Sequence, residues 1–210
     1  MKLSDFVQLL AKQLSEPLAK KGFKRVADDL WVRFRNGHDI NVISVQKHSS
    51  SSNVCVNIGV HYDFLPKVGT LDLPREGSIE LADCEIKFRL APDKGQRDHW
   101  WSIEPNSAVE ISDLIFARTD DIFDQYEIAG DSSSHDITAI VPEDLDGEIP
   151  AVVSSLTKVR ASLLLARLHE FRGDLEKAAG FANYGLRVAG MAVGPKKMLK
   201  EVLKRIEAKG

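Results

Sequence analysis

Hydrophobic positions at the start of the chain recur with helical spacing: Leu3, Phe6, Val7, Leu10, Leu14 and Leu18. Ser4 stands where an N-cap is needed and Gly22 where the chain leaves the helix. Pro17 falls inside the pattern, so either the helix kinks there or Ser15 caps a fresh turn with Pro17 near its start. From Leu30 the period changes to two. Leu30, Val32 and Phe34 alternate with Trp31, Arg33 and Arg35, and Asn36-Gly37 supplies a tight hairpin turn. The return strand, His38 to Lys47, is apolar on both sides, as a central strand is. The serine-rich stretch His48 to Asn53 reads as a loop. Val54, Val56, Ile58, Val60 and Tyr62 then alternate with Cys55, Asn57, Gly59 and His61. Residues 63–78, with Pro66, Gly69, Pro74 and Gly77, form an irregular connection. A strand from Ile79 to Leu90 turns Cys84, Ile86, Phe88 and Leu90 inward and Glu85, Lys87 and Arg89 outward. A turn at Ala91 to Arg97 leads to a short last strand around His99-Trp100-Trp101-Ser102-Ile103, and the short connections favour an antiparallel meander.

Helical spacing returns near Ser107, where Val109, Ile111, Leu114, Ile115, Ile122, Phe123 and Tyr126 form a broad apolar stripe. Asp113, Asp120, Asp121 and Asp124 occupy its other side. Residues 130–150 are polar and broken by Gly130, Pro142, Gly147 and Pro150, which predicts a partly structured linker with Ile137 to Val141 packed down. Leu156, Val159, Leu163, Leu164, Ala166 and Leu168 fill a further helix. Arg172-Gly173-Asp174 turns the chain into another beginning at Leu175, and Pro195 opens a basic closing helix. The expected fold is α+β: an antiparallel β-meander sheet with N-terminal and post-sheet helices packed on it, then a helical hairpin and a short helix. The expected division is an α+β domain over residues 1–148 and a helical extension over 149–210.

Five local patterns occur in order: Pro17-Leu18-Ala19-Lys20-Lys21-Gly22-Phe23-Lys24, Val42-Ile43-Ser44-Val45-Gln46-Lys47, Val56-Asn57-Ile58-Gly59-Val60, Cys84-Glu85-Ile86-Lys87-Phe88-Arg89-Leu90 and Trp100-Trp101. Together they resemble the bacterial domain-of-unknown-function family numbered 4304, over about residues 5–145. The resemblance implies an antiparallel sheet with helices on one face and at its edge, and it carries no agreed catalytic residues. The family pattern often has Arg where this chain has Lys87, which keeps the charge. Gly173, Asp174, Ala178 and Leu186 are similar to positions of a single tetratricopeptide-type repeat. With no second repeat in register, that hairpin is expected to pack on the domain and not to begin an array.

Charge sharpens this picture. The chain carries a net −3, but residues 106–150 hold one Arg against twelve carboxylates, whereas residues 151–210 hold twelve Lys and Arg against five carboxylates. These segments either lie on solvated faces, pair with each other, or present a charged docking surface. No stretch approaches the ~20 apolar residues of a membrane span, and the start lacks the apolar block of a secretory signal. A bacterial cytoplasmic protein without membrane contact is expected. Cys55 and Cys84 then read as reduced thiols in strands.

Chemistry is sparse. The six histidines form no H-x-x-x-H pair, and there is no C-x-x-C, phosphate-binding loop or G-x-S-x-G elbow. No metal or cofactor is expected. One sheet face gathers Asn57, His61, Lys87 and Arg89, with Trp101 at the edge: residue types that hold a carboxylate, a phosphate or a flipped base. The same residues serve equally in bulges and cross-strand pairs. Of Trp100 and Trp101, alternation sends one ring to the core and one to the opposite side. The first functional expectation is a non-catalytic protein-binding module, of the kind in which an immunity-like protein neutralises a bacterial toxin. It would use Asp120, Asp121 and Asp124 within the acidic segment 110–148, or the C-terminal helices. The alternative is an enzyme or small-ligand site on the open sheet face. Nucleic-acid binding through Lys196, Lys197, Lys200, Lys204 and Arg205 is disfavoured by the overall acidity.

Overall fold

A computed structural model describes residues 1–67, 72–93, 98–128 and 137–209. The chain separates into two compact units, Met1–Asp124 and Gln125–Gly210. Parts of the turn expected at Ala91 to Arg97 and of the linker expected over 130–150 lie outside the described residues.

The first unit begins with α1 (Leu3–Lys20), one continuous helix through Pro17. No fresh turn is capped at Ser15, whose hydroxyl donates back to the Ala11 carbonyl at 2.6 Å. Lys2, not Ser4, is the N-cap, and no side chain caps it. The C-terminal end follows expectation. Gly22 has φ +84°, its N–H donates to Ala19 O, and the Phe23 N–H donates to Leu18 O, which together close a Schellman motif.

Six strands follow: β1 (Lys24–Ala27), β2 (Leu30–Phe34), β3 (Asp39–Lys47), β4 (Asn53–Tyr62), β5 (Ile86–Arg89) and β6 (Trp101–Ser102). All pair antiparallel in the order β1-β2-β3-β4-β5, with β6 beside the start of β4. Edge strand β1 was not legible, because all four residues are exposed and show no alternation. Its Lys24 and Arg25, with a register shift between Arg25 and Ala27, keep an open edge from pairing with other chains. In the hairpin, the positive φ falls on His38 (72°) and not on the glycine of Asn36-Gly37. Arg35 N–H to Asp39 O closes a loop of three residues, whose last position commonly adopts the left-handed conformation.

Register defines two faces. Trp31, Arg33, Asn41, Ile43, Val56, Ile58, Val60, Ile86 and Trp101 share one; Leu30, Val32, Ile40, Val42, Gln46, Cys55, Asn57, Gly59, His61, Lys87 and Arg89 share the other. The first is the inner face, beneath α1 and α2 (Pro105–Asp124): Arg33 on it lies beside Asp120 of α2 and donates to the Lys21 carbonyl. Ser112 of α2 donates to Gln13 of α1 at 2.9 Å. The second, outer face is half covered. The long strand expected from Ile79 is interrupted by a 3-10 turn, Leu81–Asp83, which brings Ile79 and Cys84 onto Leu30, Val32, Ile40 and Val42. Gly59 admits this close approach, since a Cβ there would sit 2.7 Å from Cys84 Sγ.

The second unit packs α3 (Lys158–Arg172), α4 (Leu175–Val188) and α5 (Val193–Glu207) together. Gly173 ends α3 at φ +80°, and the Asp174 carboxylate caps α4 by accepting from Lys177 N–H at 3.1 Å. The stretch Ile137–Leu145 belongs to this unit, where Tyr184 Oη donates to Leu145 O at 2.9 Å. The basic closing helix is clamped to α3: Arg205 donates Nε and Nη2 to the two Glu170 oxygens, each at 2.7 Å. Among the described residues, no helix is long and apolar enough to cross a membrane.

Candidate functional site

The outer sheet face changes character along β3 and β4. One half is the apolar cluster beneath Ile79 and Cys84. The other half is polar, because the β3 and β4 positions there are Gln46, Cys55 and Asn57 and the β5 position is Arg89. Asn57 Nδ2 donates to Gln46 Oε1 at 3.0 Å across the two strands. Cys55 Sγ lies 3.9 Å from the same oxygen and 4.0 Å from Asn57 Oδ1. Burial raises the Cys55 pKa, against the pull of the nearby Arg89 cation, so the thiol stays protonated.

Arg89 is directly opposite Asn57 in register. Its guanidinium lies over the Trp100 ring, 4.5 Å from the centroid, and its Nη1 donates to the Asp98 carboxylate. The Nε of Arg89 is buried and has no hydrogen-bond partner. Trp100 also meets the His48 ring edge-on at 4.6 Å. His48 is fixed at the mouth of the serine-rich loop, where its N–H donates to Asn53 O and its Nδ1 accepts from Ser50 N–H at 3.1 Å. The result is a half-buried cation on an indole, flanked by a pair of amides. Such a group holds planar anions and aromatic or acidic side chains.

Of the predicted residues, Asn57 and Arg89 come together here. His61 does not. It lies on the same face four residues along β4, about 13 Å away; it is fully buried in the apolar half, and its Nε2 donates to Leu65 O at 3.1 Å. Lys87 turns back to donate to Ala82 O at 3.0 Å. Trp101 pairs with Val54, which sends its ring to the inner face, where it is buried. The indole at the site belongs to its neighbour Trp100. The expected alternation of the two tryptophans identified one inward and one outward ring but not which ring meets Arg89. Asp98 and His48 were missed: they lie outside regular strands, where periodicity gives no signal.

The acidic trio also changes meaning. Asp120 accepts from Lys21 Nζ at 2.6 Å and lies 3.6 Å from Arg33 Nη1. Asp124 pairs with Arg35 at 3.0 Å. Asp121 is an exposed residue of α2. Two members of the trio thus tie α2 to the hairpin and to the end of α1. No group of three or more His, Cys, Asp or Glu among the described residues is arranged to hold a metal ion.

The fold and site define an α+β domain in which a twisted antiparallel sheet carries helices on one face and a polar, arginine-centred end on the other. The chain belongs to the family described as Domain of unknown function (DUF4304), whose model matches residues 14–124. That span runs from within α1 to the end of α2 and leaves the helical unit outside it. No curated protein and no solved structure matches the chain.

Proposed function

We propose that the chain is a non-catalytic protein-binding module whose recognition surface is the polar end of the outer sheet face. The observation that carries this reading is the Arg89 guanidinium lying over Trp100 beside the Gln46–Asn57 amide pair. Arginine and tryptophan are the side chains that dominate binding energy at protein interfaces, where they anchor a partner while surrounding residues exclude water. The thiols favour binding over covalent catalysis. Cys55 is flanked by amide oxygens and not by a base, and burial holds Cys84 at about 12.

The test is affinity capture from native host lysate, with mass spectrometry and with four forms of the chain compared. The wild type captures a stoichiometric partner, and Arg89→Ala and Trp100→Ala both lose it while keeping wild-type circular dichroism. Capture that survives both substitutions overturns the surface. Asp121→Asn leaves capture unchanged, whereas loss with this variant alone transfers the interface to α2.

A further inference from the structure

The polar end of the sheet already holds an acidic group of its own, and its position suggests what the surface takes. Arg89 is 23% exposed and spends Nη1 on Asp98, which is 63% exposed. Its Nε is buried without an acceptor. A guanidinium presents its donors as a planar fork suited to two parallel bonds with a carboxylate. Here that capacity is under-used, and a buried donor left unsatisfied opposes folding. Folding alone would be served as well by an apolar side chain over Trp100. An exposed ion pair such as Arg89–Asp98 adds little stability, so a competing carboxylate can take its place on Arg89.

We infer, resting on the binding reading above, that the partner presents a carboxylate which displaces Asp98 and takes its place on Arg89. Asp98 acts as a resident competitor that keeps the guanidinium ordered on Trp100 until the partner arrives. The charge at the site selects a carboxylate over a phosphate dianion. Arg89 is the cation facing Trp100 among the described residues, while Lys87 is turned to Ala82 O. A dianion asks for a second cation, and a carboxylate does not. The Gln46–Asn57 pair, bonded at 3.0 Å, offers amide groups beside the fork for the rest of the ligand.

The experiment follows the side-chain signals of Arg89 Nε–H and Trp100 Nε1–H by NMR at constant ionic strength, with sodium acetate and inorganic phosphate as separate probes. Acetate shifts both signals. Asp98→Asn, at an exposed position, binds acetate about fivefold tighter than wild type, the gain expected when a surface-grade ion pair no longer competes. Arg89→Lys keeps the charge but loses the fork, and loses the acetate response. Equal acetate affinity in wild type and Asp98→Asn overturns the competitor role, and tighter binding of phosphate than of acetate overturns the carboxylate assignment. Either result can coexist with partner capture that depends on Arg89, so failure here is distinct from failure of the module reading. Capture that ignores Arg89→Ala removes the surface itself, whatever acetate does.

Discussion

Arg33 of β2 and Asn41 of β3 face each other on the inner side of the sheet, and Arg33 Nε donates to Asn41 Oδ1 at 2.9 Å. Asn41 passes the interaction on, donating from Nδ2 to the buried Asp39 at 3.0 Å. The guanidinium lies against two aromatic rings that touch each other, 4.5 Å from the Phe23 centroid and 5.4 Å from that of Phe123. Its Nη1 donates to Lys21 O and approaches Asp120. One side chain thus joins the end of α1, the hairpin and the end of α2. Burial lowers its pKa, with Arg35 adding to the effect and Asp120 opposing it, yet a guanidinium remains charged.

Because Arg33 is only 11% exposed, its loss leaves the Asn41 side-chain oxygen without its donor and takes a cation from beside Asp120 and the buried Asp39. Arg33→Ala lowers the stability of the first unit by about 3 kcal/mol, the range found when one partner of a buried charged group is removed. Arg33→Lys rescues less than half, because an ammonium cannot lie flat against the Phe23 ring while donating to Asn41 and to the Lys21 carbonyl. Urea unfolding of the three forms measures both differences; a Lys variant as stable as wild type would show that charge alone matters.

This polar network was invisible to periodicity. Alternation set Arg33 and Arg35 on one side of β2 with Trp31 and did not say which side the helices cover. Register puts Arg33 opposite Asn41 on the helix-covered face, and α2 supplies carboxylates from eighty or more residues away. The elements themselves were legible where the apolar period was sustained, as in α1, β2, β3, β4 and α3. Where burial came from a segment with no period of its own, it was not: Ile79 to Cys84 looked like part of a strand and is a plug on the outer face. For the candidate site, strand pattern found Asn57 and Arg89 because both sit in register, and gave Trp101 in place of Trp100 because a strand of two residues is too short to phase.

Gly59 is the position that lets that plug close. A Cβ there meets Cys84 Sγ at 2.7 Å, Leu81 Cδ1 at 3.0 Å and Cys84 Cβ at 3.2 Å. Gly59→Ala therefore destabilises the first unit by about 1–3 kcal/mol through overpacking. In a Cys84→Ala background the nearest obstacle is gone, and the same substitution costs at least ~1 kcal/mol less. A double-mutant cycle by chemical denaturation reads the coupling; additive effects would place the clash elsewhere.

Gly185 does the same for the helical unit but with less freedom. Its Cβ would lie 2.8 Å from Leu199 Cδ1 on α5 and 2.9 Å from Ser162 Cβ on α3. Leu199 can yield by moving its side chain; the Ser162 Cβ moves only with α3 itself. Gly185→Ala lowers the stability of this unit by about 2 kcal/mol, and Leu199→Ala fails to rescue it. Thermal unfolding followed at 222 nm, together with Gly59→Ala as the counterpart in the other unit, tests this; full rescue by Leu199→Ala would mean that α3 and α4 tolerate a wider spacing.

In each unit a buried acid has its pKa pushed far up. Burial pushes the Cys84 thiol in the first unit from 9.0 to about 12, with Lys87 opposing the shift, and pushes the Tyr126 phenol in the second from 10.0 to about 12. A folded chain that holds a proton more tightly than its unfolded form is fully stabilised by it below the unfolded pKa. That contribution is lost as pH rises toward the folded value. Stability is therefore flat with respect to these two groups up to about pH 9 for Cys84 and pH 10 for Tyr126, and then falls by up to ~1.4 kcal/mol per pH unit for each until about pH 12. Urea titrations between pH 8 and 11 follow the decline. Cys84→Ala removes the part that begins near pH 9, and Tyr126→Phe the part that begins near pH 10. A wild-type slope unchanged by either substitution would assign the alkaline loss to other groups. The same burial makes both Cys84 and Cys55 unreactive toward iodoacetamide at pH 8 until urea unfolds the chain, and rapid native labelling of Cys55 would show that the polar end of the sheet opens to admit reagents.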